Sequence, residues 1–218
     1  VAEDSKVVLS GDGADELFGG YRKHKAEWMI RKYPGLHKAG GLLKPLIAEL
    51  QGSRNSRIGN AQRQFSKWVK ANSLSNEERY LLMASMAEEK EVDGLILKND
   101  LHKYKRDLKL DSFNDVLKED FSSVLSGDML YKVDRMSMAH GLEVRVPFLD
   151  HELADFVFSL PSEWKLKNGS RKFLLKESIK NDLGKELLKR RKRGFEVPLA
   201  DWIKGPLSFL IDEVLNEN

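Results

Sequence analysis

The residues best suited to chemistry lie in a loop near the start of the sequence that is rich in glycine and acidic side chains. The loop Ser10-Gly11-Asp12-Gly13 follows a short apolar segment, and Asp15 and Glu16 come directly after it. Glycine lets the backbone approach a ligand, and the start of a helix offers unpaired N–H groups, so this arrangement is typical of a nucleotide site. The loop contains no lysine, and its acids would repel a bare phosphate. Such acids suit a site in which Mg²⁺ stands between carboxylate and phosphate, or in which a carboxylate takes a proton from an attacking amine.

The same loop also fits an ordinary helix start. Asp12 can cap the helix that follows, and acidic residues in a first helical turn are favoured by the helix dipole alone. Small polar loops of this kind often precede helices. The residue types by themselves leave the nucleotide site and the plain helix start equally open.

Lys172 is the cation best placed to meet an anionic ligand. It falls in the first turn of a predicted helix that begins after Asn168-Gly169-Ser170. The dipole of a helix disfavours a cation at that end, so a lysine there hints at an anionic partner. A lysine whose ammonium group is simply solvated is the plainer alternative.

A second group of charges lies between residues 132 and 150. Its six members are Lys132, Asp134, Arg135, Glu143, Arg145 and Asp150. They stand among apolar neighbours that the pattern predicts to be buried, and buried charges have to pair or to contact a ligand. For most of them we expect a structural ion-pair network, for example Asp134 with Arg145.

The composition excludes several classes of function. The 37 Lys and Arg against 34 Asp and Glu give a net charge of +3, which is too even for nucleic-acid binding by bulk electrostatics. The basic run at residues 189–193 fits an RNA or phosphate patch, but positive charge at a helix end before a glycine cap is the plainer interpretation. There is no cysteine, and no apolar run approaches the roughly 20 residues that span a bilayer. We expect a cytoplasmic protein that contacts neither nucleic acid nor a membrane.

Hydrophobic periodicity predicts a mainly helical chain with one or two short strands. The apolar run at residues 6–9 predicts a buried strand. From residue 14 onward the pattern is helical, with a break at Gly19-Gly20 and a stop at Pro34. Ser75 and Glu78 carry the signature of a capping box. Further helices are predicted at residues 37–50, 56–71, 75–87, 111–140 with an interruption at 126–128, 152–159, 171–181, 185–189 and 207–215.

Five segments occur in an order and spacing that point to a known family. They read LSGDGADELFGGY (9–21), DRMSMA (134–139), EVRVPFLD (143–150), KFLL (172–175) and KRGFEVPL (192–199). Together they resemble the C-terminal part of the synthetase domain of the glutamine-hydrolysing asparagine synthases. The resemblance covers residues 7 to about 206.

The resemblance implies the helical C-terminal portion of an α/β synthetase domain of the PP-loop ATP pyrophosphatase type, which is adenine-nucleotide α-hydrolase-like. It also implies a ligase reaction, in which ATP activates the side-chain carboxylate of aspartate as an aspartyl-adenylate and releases pyrophosphate. Ammonia from a separate glutaminase domain then displaces AMP and leaves asparagine.

The resemblance also implies roles for individual residues of the first loop. Ser10 and Gly11 would contact AMP. Asp12 occupies a position where the family has Glu or Asp, and it would take part in forming the adenylate and in the attack of ammonia on it.

Four further positions complete the implied site. Asp15 would bind Mg²⁺ together with pyrophosphate, and Lys172 would stabilise negative charge on the phosphoryl group. Tyr21 and Arg145 are two more candidate site residues. These roles agree with the chemistry of the residue types, because acids suit a metal and an amine, and a cation suits phosphoryl oxygens.

Several parts of the family's protein have no counterpart in the sequence. These are the pyrophosphate-binding Ser-Gly-Gly-x-Asp-Ser loop, which belongs upstream of residue 1, most parallel strands of the nucleotide fold, and the N-terminal glutaminase domain. We therefore expect residues 1–218 to be a C-terminal fragment of the synthetase domain that binds ATP poorly and is inactive by itself. The sequence does not reveal the oligomeric state, and a homodimer of the parent protein is one assembly open to it.

Two other functions remain open from the sequence. The parent could form a different amide, such as a β-lactam or an amidated sugar carboxylate, because the acyl substrate is not decided by the segments present. A helical RNA-binding or interaction module that uses residues 189–193 is a different class, and it predicts salt-sensitive RNA binding.

Overall fold

The computed structural model of the chain describes residues 1–34, 57–85, 108–189 and 199–215. The helix predicted at residues 37–50 lies outside these ranges, and so do residues 190–193 of the basic run. The chain divides into two compact units, Val1–Ser178 and Ile179–Asn218.

The described residues are mainly helical, which confirms the predicted fold class. In order, the elements of the first unit are β1 (Val7–Leu9), α1 (Ala14–Phe18), α2 (Arg22–Lys32), α3 (Arg57–Ala71), α4 (Asn76–Ala84), α5 (Phe113–Glu119), a π-helix (Asp120–Leu130), α6 (Tyr131–Met138), β2 (Glu143–Arg145), a 3-10 turn (Pro147–Leu149), α7 (His151–Ser159), α8 (Ser162–Lys165), β3 (Leu166–Lys167), β4 (Ser170–Arg171) and α9 (Phe173–Ser178).

The second unit contains three short helices among its described residues. They are α10 (Lys185–Lys189), α11 (Leu199–Lys204) and α12 (Phe209–Leu215). No helix in the described ranges of either unit combines the length and the apolar character needed to cross a bilayer.

The described strands are short and form two separate pairs. β1 and β2 are parallel, with Val8 opposite Val144, and β3 and β4 form an antiparallel hairpin. The hairpin turn is Asn168-Gly169, whose φ angles of 50° and 75° fit the type I′ turn that this dipeptide favours. The described residues thus hold four short strands where the sequence predicts one or two, because two-residue pairs carry no hydrophobic alternation that a pattern could reveal.

β1 differs from its prediction in burial. The apolar run predicts a buried strand, yet Leu9 is 74% exposed and Val7 is also exposed. β2 is the one strand that pairs with β1 in the described part of the chain.

α1 carries the acidic residues of the first loop and lies in the core of the first unit. Its Leu17 and Phe18 pack against Ala154 and Val157 of α7. Fully burying a large apolar side chain contributes about 1.5–3 kcal/mol, whereas an isolated helix of five residues is not stable in water. Tertiary packing therefore holds α1, and with it the orientation of the acidic side chains.

A second core cluster fixes the β3–β4 hairpin on the helices. It consists of Trp28 from α2, Phe113 and Leu117 from α5, and Leu166 at the start of β3. Leu166 is fully buried. The hairpin therefore has a fixed position relative to α2 and α5.

The predicted break between α1 and α2 is confirmed, and it depends on Gly19. Gly19 ends α1 with a φ of 66°, in the left-handed region that favours glycine. A Cβ at this position would lie 2.4 Å from Cδ1 of Leu166. Glycine at position 19 thus serves the fold itself.

The predicted helix at 111–140 is continuous in the structure, but its middle is a π-helix. α5 and α6 flank the π-helix Asp120–Leu130, and the interruption predicted at 126–128 falls inside it. Wide helical turns are uncommon and often lie beside functional groups. Here the first residue of the π-helix, Asp120, is fully buried.

Candidate functional site

The loop after β1 leaves space beside the backbone of Gly11. The Ser10 N–H donates to the carbonyl oxygen of Arg145 at 2.8 Å, and the Ser10 hydroxyl donates to Oδ2 of Asp12 at 2.5 Å. Nothing lies within 4 Å of the place where a Cβ on Gly11 would stand. The N-cap of α1 is Gly13, without a side-chain cap, so Asp12 does not cap this helix. The loop can therefore receive a ligand against Gly11, with the Asp12 carboxylate held beside it.

Asp15 and Lys172 form an ion pair. Nζ of Lys172 lies 3.0 Å from Oδ1 of Asp15, and their side chains are 25% and 20% exposed. The two residues come from distant parts of the chain, and the pair lies beside the turn that follows α1. The structure thus brings together the acid predicted to bind a metal and the cation predicted to meet a phosphoryl group.

The backbone of Lys172 has an unusual conformation. Its φ is 55°, in the left-handed region that residues other than glycine seldom adopt. Its N–H donates to the carbonyl oxygen of Phe18 at 3.2 Å, and α9 begins at the next residue. Lys172 is therefore fixed to the end of α1 by its backbone as well as by its ammonium group.

Tyr21 reaches the same region through Glu16. The Tyr21 hydroxyl donates to Oε1 of Glu16 at 2.6 Å, and Glu16 is almost fully buried. Burial, followed by the hydrogen bond and the charge of Glu16, raises the pKa of the Tyr21 hydroxyl above its usual range. Tyr21 therefore stays protonated and acts as a donor to Glu16.

Arg145 lies at the surface and contributes its backbone to the loop. Its side chain donates from Nε to Oε1 of Glu143 at 2.7 Å, and both side chains are more than half exposed. The expected pair of Asp134 with Arg145 does not form in the described part of the chain. All six charged residues between 132 and 150 are exposed, because α6 and β2 lie at the surface of this part, so the expectation of burial is wrong.

A buried polar network behind Tyr21 was not predicted from the sequence. Nε2 of His24 lies 2.6 Å from Oδ2 of Asp120, while Lys23 and the Tyr80 hydroxyl donate to Oδ1 of Asp120 at 2.7 and 2.8 Å. His24 and Asp120 are fully buried. The partners are 96 residues apart, and no local signal links them. The network joins α2 to the first residue of the π-helix.

The protonation of this network follows from its contacts. Nδ1 of His24 accepts from the Tyr21 N–H at 3.4 Å, so the ring proton is on Nε2 and is donated to Asp120. Burial lowers the pKa of His24, more than the neighbouring Asp120 raises it. Burial also raises the pKa of Asp120, but the hydrogen bonds from His24 and Lys23 and the charge of Lys23 outweigh it, and the net direction is down. A neutral His24 therefore faces an ionised Asp120.

Lys165 anchors the start of the β3–β4 hairpin. Its ammonium group donates to Oδ1 of Asn114 at 2.6 Å and to the carbonyl oxygen of Leu160 at 3.1 Å, and its side chain is fully buried. Burial, with a smaller effect from the charge of Lys118, lowers the pKa of Lys165 to about 8. The hairpin that carries Lys172 is thus fixed at its base by a buried cation.

The donor set fits only a metal ion that is shared with phosphate. Among the residues that the structure describes, no group of three or more His, Cys, Asp or Glu side chains could hold a metal ion. Mg²⁺ is commonly held by one or two carboxylates together with substrate phosphates and water. Asp15 can supply one such carboxylate, so its chemistry fits Mg²⁺ bound with a polyphosphate.

The sequence comparisons decide the family. The sequence model of the asparagine synthase family matches residues 1–218. The chain belongs to the asparagine synthase family. The domain of this family is a PP-loop synthetase domain, which agrees with the predicted fold class.

Two bacterial relatives match the chain over nearly its whole length. A protein of Bacillus subtilis described as asparagine synthetase [glutamine-hydrolyzing] 1 is 29% identical over the whole chain, which covers 35% of that protein. A Mycobacterium bovis protein described as a putative asparagine synthetase [glutamine-hydrolyzing] is 32% identical over 92% of the chain and 31% of its own length. The chain thus spans about a third of these relatives.

A vertebrate relative matches a shorter part of the chain. The asparagine synthetase [glutamine-hydrolyzing] of Gallus gallus is 44% identical over 38% of the chain and 15% of its own length. No solved structure matches the chain significantly.

Proposed function

We propose that the chain is part of a ligase that makes asparagine from aspartate, ATP and ammonia released from glutamine. The whole-length match to the asparagine synthase family and the descriptions of the relatives support this function. The observation that carries it is the ion pair of Lys172 with Asp15, which lies in α1 three residues after Asp12 of the loop. The pair supplies an acid and a cation, which are the charges that a reaction on a nucleotide phosphate uses.

The loop before α1 would bind the nucleotide. Gly11 offers open space against its backbone, and Ser10 stands at the end of β1 with its N–H already bonded to Arg145. AMP would lie against these two residues. Asp12, held by the Ser10 hydroxyl, would accept a proton from ammonia as it attacks the aspartyl-adenylate.

Asp15 and Lys172 would act on the phosphates. In this structure the two side chains neutralise each other. Asp15 would hold Mg²⁺ together with pyrophosphate, and the bound metal supplies positive charge that offsets the charge of the phosphate oxygens. Lys172 would place its ammonium group against the phosphoryl oxygens. When the nucleotide binds, Asp15 thus exchanges one positive partner, Lys172, for another, Mg²⁺. Lys172 exchanges the negative Asp15 for the negative phosphoryl oxygens.

The length of the relatives supports a domain arrangement. We propose that residues 1–218 are one segment of a longer protein, in which the pyrophosphate-binding loop and the glutaminase domain come from other residues. By itself the segment would bind ATP weakly. Titration calorimetry with ATP and Mg²⁺ would then give far less heat for residues 1–218 than for the full-length protein, and tight binding by the segment would contradict this arrangement.

The substitution Asp15→Ala in the full-length protein tests the function. We expect aspartate-dependent release of pyrophosphate from ATP to fall by more than tenfold, while hydrolysis of glutamine continues because it belongs to a separate domain. Glu3→Ala, at an exposed position away from the site, is the control. Release of pyrophosphate at the wild-type rate in Asp15→Ala would refute the metal role. Release that depends on a carboxylate other than aspartate would refute the substrate.

A further inference from the structure

The turn after α1 is enclosed by the β3–β4 hairpin. Nη1 of Arg171 donates to the carbonyl oxygen of Gly20 at 2.8 Å, and the next residue, Lys172, donates its N–H to the carbonyl oxygen of Phe18. The Gly20 N–H donates to the carbonyl oxygen of Asp15 at 2.7 Å. The hairpin and the turn are therefore joined on both sides of the Asp15–Lys172 ion pair.

The two glycines of this turn are required for different reasons. Gly19 has a positive φ and faces the buried Leu166. Gly20 has no positive φ, so an alanine can adopt its backbone conformation. What excludes a side chain at Gly20 is space alone.

The space above Gly20 is filled by the ion pair. A Cβ on Gly20 would lie 1.7 Å from Oδ1 of Asp15 and 2.5 Å from Cε of Lys172. These are the same Oδ1 and the same side chain that form the 3.0 Å ion pair. Both obstructing groups are the ends of flexible side chains, so an added methyl group would displace them and leave the backbone and the apolar core in place.

We propose that Gly20 is a positioning residue, whose missing side chain is what allows Asp15 and Lys172 to meet. Arg171 completes the arrangement, because its bond to the Gly20 carbonyl oxygen holds the turn against the hairpin that carries Lys172. The proposal rests on the proposed function in that Asp15 and Lys172 are the groups that act on the phosphates. It adds a residue that touches neither nucleotide nor metal and acts only through the distance between two charges.

The first test measures the ion pair without any reaction. Gly20→Ala is compared with Gly127→Ala, since nothing lies within 4 Å of a Cβ at Gly127 and its φ is not positive. Both variants are treated with a limiting amount of an acetylating reagent, and modification of Lys172 is followed by peptide mass spectrometry. We expect Lys172 to react at least threefold faster in Gly20→Ala and at the wild-type rate in Gly127→Ala. Acetylation of the exposed Lys132 serves as the internal reference.

Urea unfolding of the same variants separates positioning from folding. We expect Gly20→Ala to unfold at the wild-type urea concentration, because its backbone conformation suits alanine. Unchanged reactivity of Lys172 in a folded Gly20→Ala would overturn the proposal, and so would a loss of stability in Gly20→Ala together with unchanged reactivity of Lys172 in Arg171→Met. Arg171→Met adds no atom to the turn and removes the bond to Gly20, so it should also expose Lys172. If Gly20→Ala does not fold, the reactivity of Lys172 in Arg171→Met tests the proposal instead.

The second test uses the full-length protein. In Gly20→Ala we expect kcat for aspartate-dependent pyrophosphate release to fall at least tenfold, with a smaller change in KM for aspartate and with unchanged hydrolysis of glutamine. Faster acetylation of Lys172 combined with wild-type pyrophosphate release would uphold the positioning role. The same result would refute the roles proposed for Asp15 and Lys172, so the two proposals fail separately.

Discussion

The buried His24 makes the stability of the first unit depend on pH in a predictable direction. Its Nδ1 accepts from the Tyr21 N–H and its Nε2 donates to Asp120, so the folded protein holds it neutral. Because burial lowers its pKa below the usual 6.5, the unfolded chain binds a proton at His24 at a higher pH than the folded chain does. The contribution of neutral His24 to the free energy of unfolding is fully present above pH 6.5, and it is lost as the pH falls below that value.

The magnitude follows from the difference in bound protons. One proton bound only in the unfolded state changes the free energy of unfolding by about 1.4 kcal/mol per pH unit. Between pH 7.5 and pH 5.5 the titration of His24 in the unfolded chain covers about one such unit, so His24 accounts for a loss of at most about 1.4 kcal/mol. Asp120 adds nothing in this window, because its pKa lies below its usual acidic range.

The assay is urea unfolding of the wild type and of His24→Gln at both pH values. Glutamine keeps a polar side chain in the network and does not titrate. We expect it to cost about 1–3 kcal/mol at pH 7.5, because it leaves part of the network unsatisfied. The difference between the two proteins should shrink by up to about 1.4 kcal/mol at pH 5.5. If the free energy of unfolding depends on pH equally in both proteins, His24 does not bind a proton preferentially in the unfolded chain. That result would refute the reasoning.

Two further predictions concern Lys165 and Lys172, which flank the β3–β4 hairpin. Since burial lowers the pKa of Lys165 to about 8, the folded protein releases this proton before the unfolded chain does, and the free energy of unfolding should rise by about 1.5 kcal/mol from pH 8 to pH 9.5. The rise should vanish in Lys165→Met, as measured by urea unfolding, and its persistence there would assign it to another group. Lys172→Gly relieves a left-handed backbone at a gain of about 1–2 kcal/mol and loses a partly buried ion pair worth about 1 kcal/mol. We expect wild-type stability or slightly more, with pyrophosphate release by the full-length protein lowered more than tenfold, and a large loss of stability would contradict the assigned strain.

Local features of the fold were predictable because their causes lie within a few residues. The capping box of Ser75 and Glu78 forms as predicted, and α2 ends two residues before Pro34. The break at Gly19 appears where a left-handed residue is needed. In each case neighbouring residues satisfy each other's backbone groups, so the sequence contains the whole interaction.

Features that depend on distant partners were not predictable. The bond between His24 and Asp120 spans 96 residues, and neither residue carries a local signal for it. Arg145 pairs with the nearby Glu143 at the surface, and Leu9 is exposed. Neither could be predicted, because the burial of a segment depends on which other elements cover it. Apolar neighbours in sequence indicate only that a segment could be covered.

The candidate site was found by resemblance, and its roles stay a prediction. Residue types alone left the loop after β1 open between a nucleotide site and a helix start. The structure removes the second alternative for Asp12, since Gly13 is the N-cap of α1. It also brings Asp15 and Lys172 within 3.0 Å, which periodicity could not reveal. Their action on a nucleotide remains for the experiments above.

The contact between the hairpin and the turn after α1 affects when the candidate site can form during translation. Arg171 bonds a carbonyl oxygen that lies 151 residues earlier in the chain. At a synthesis rate of about 5–20 residues per second, roughly 8–30 s pass between the emergence of the turn and that of its hairpin. During that interval Asp15 has no cation from Lys172, and α1 has no hairpin against its end. The site therefore forms only after the hairpin, whose Arg171 lies 151 residues after Gly20 of the turn, has been synthesised.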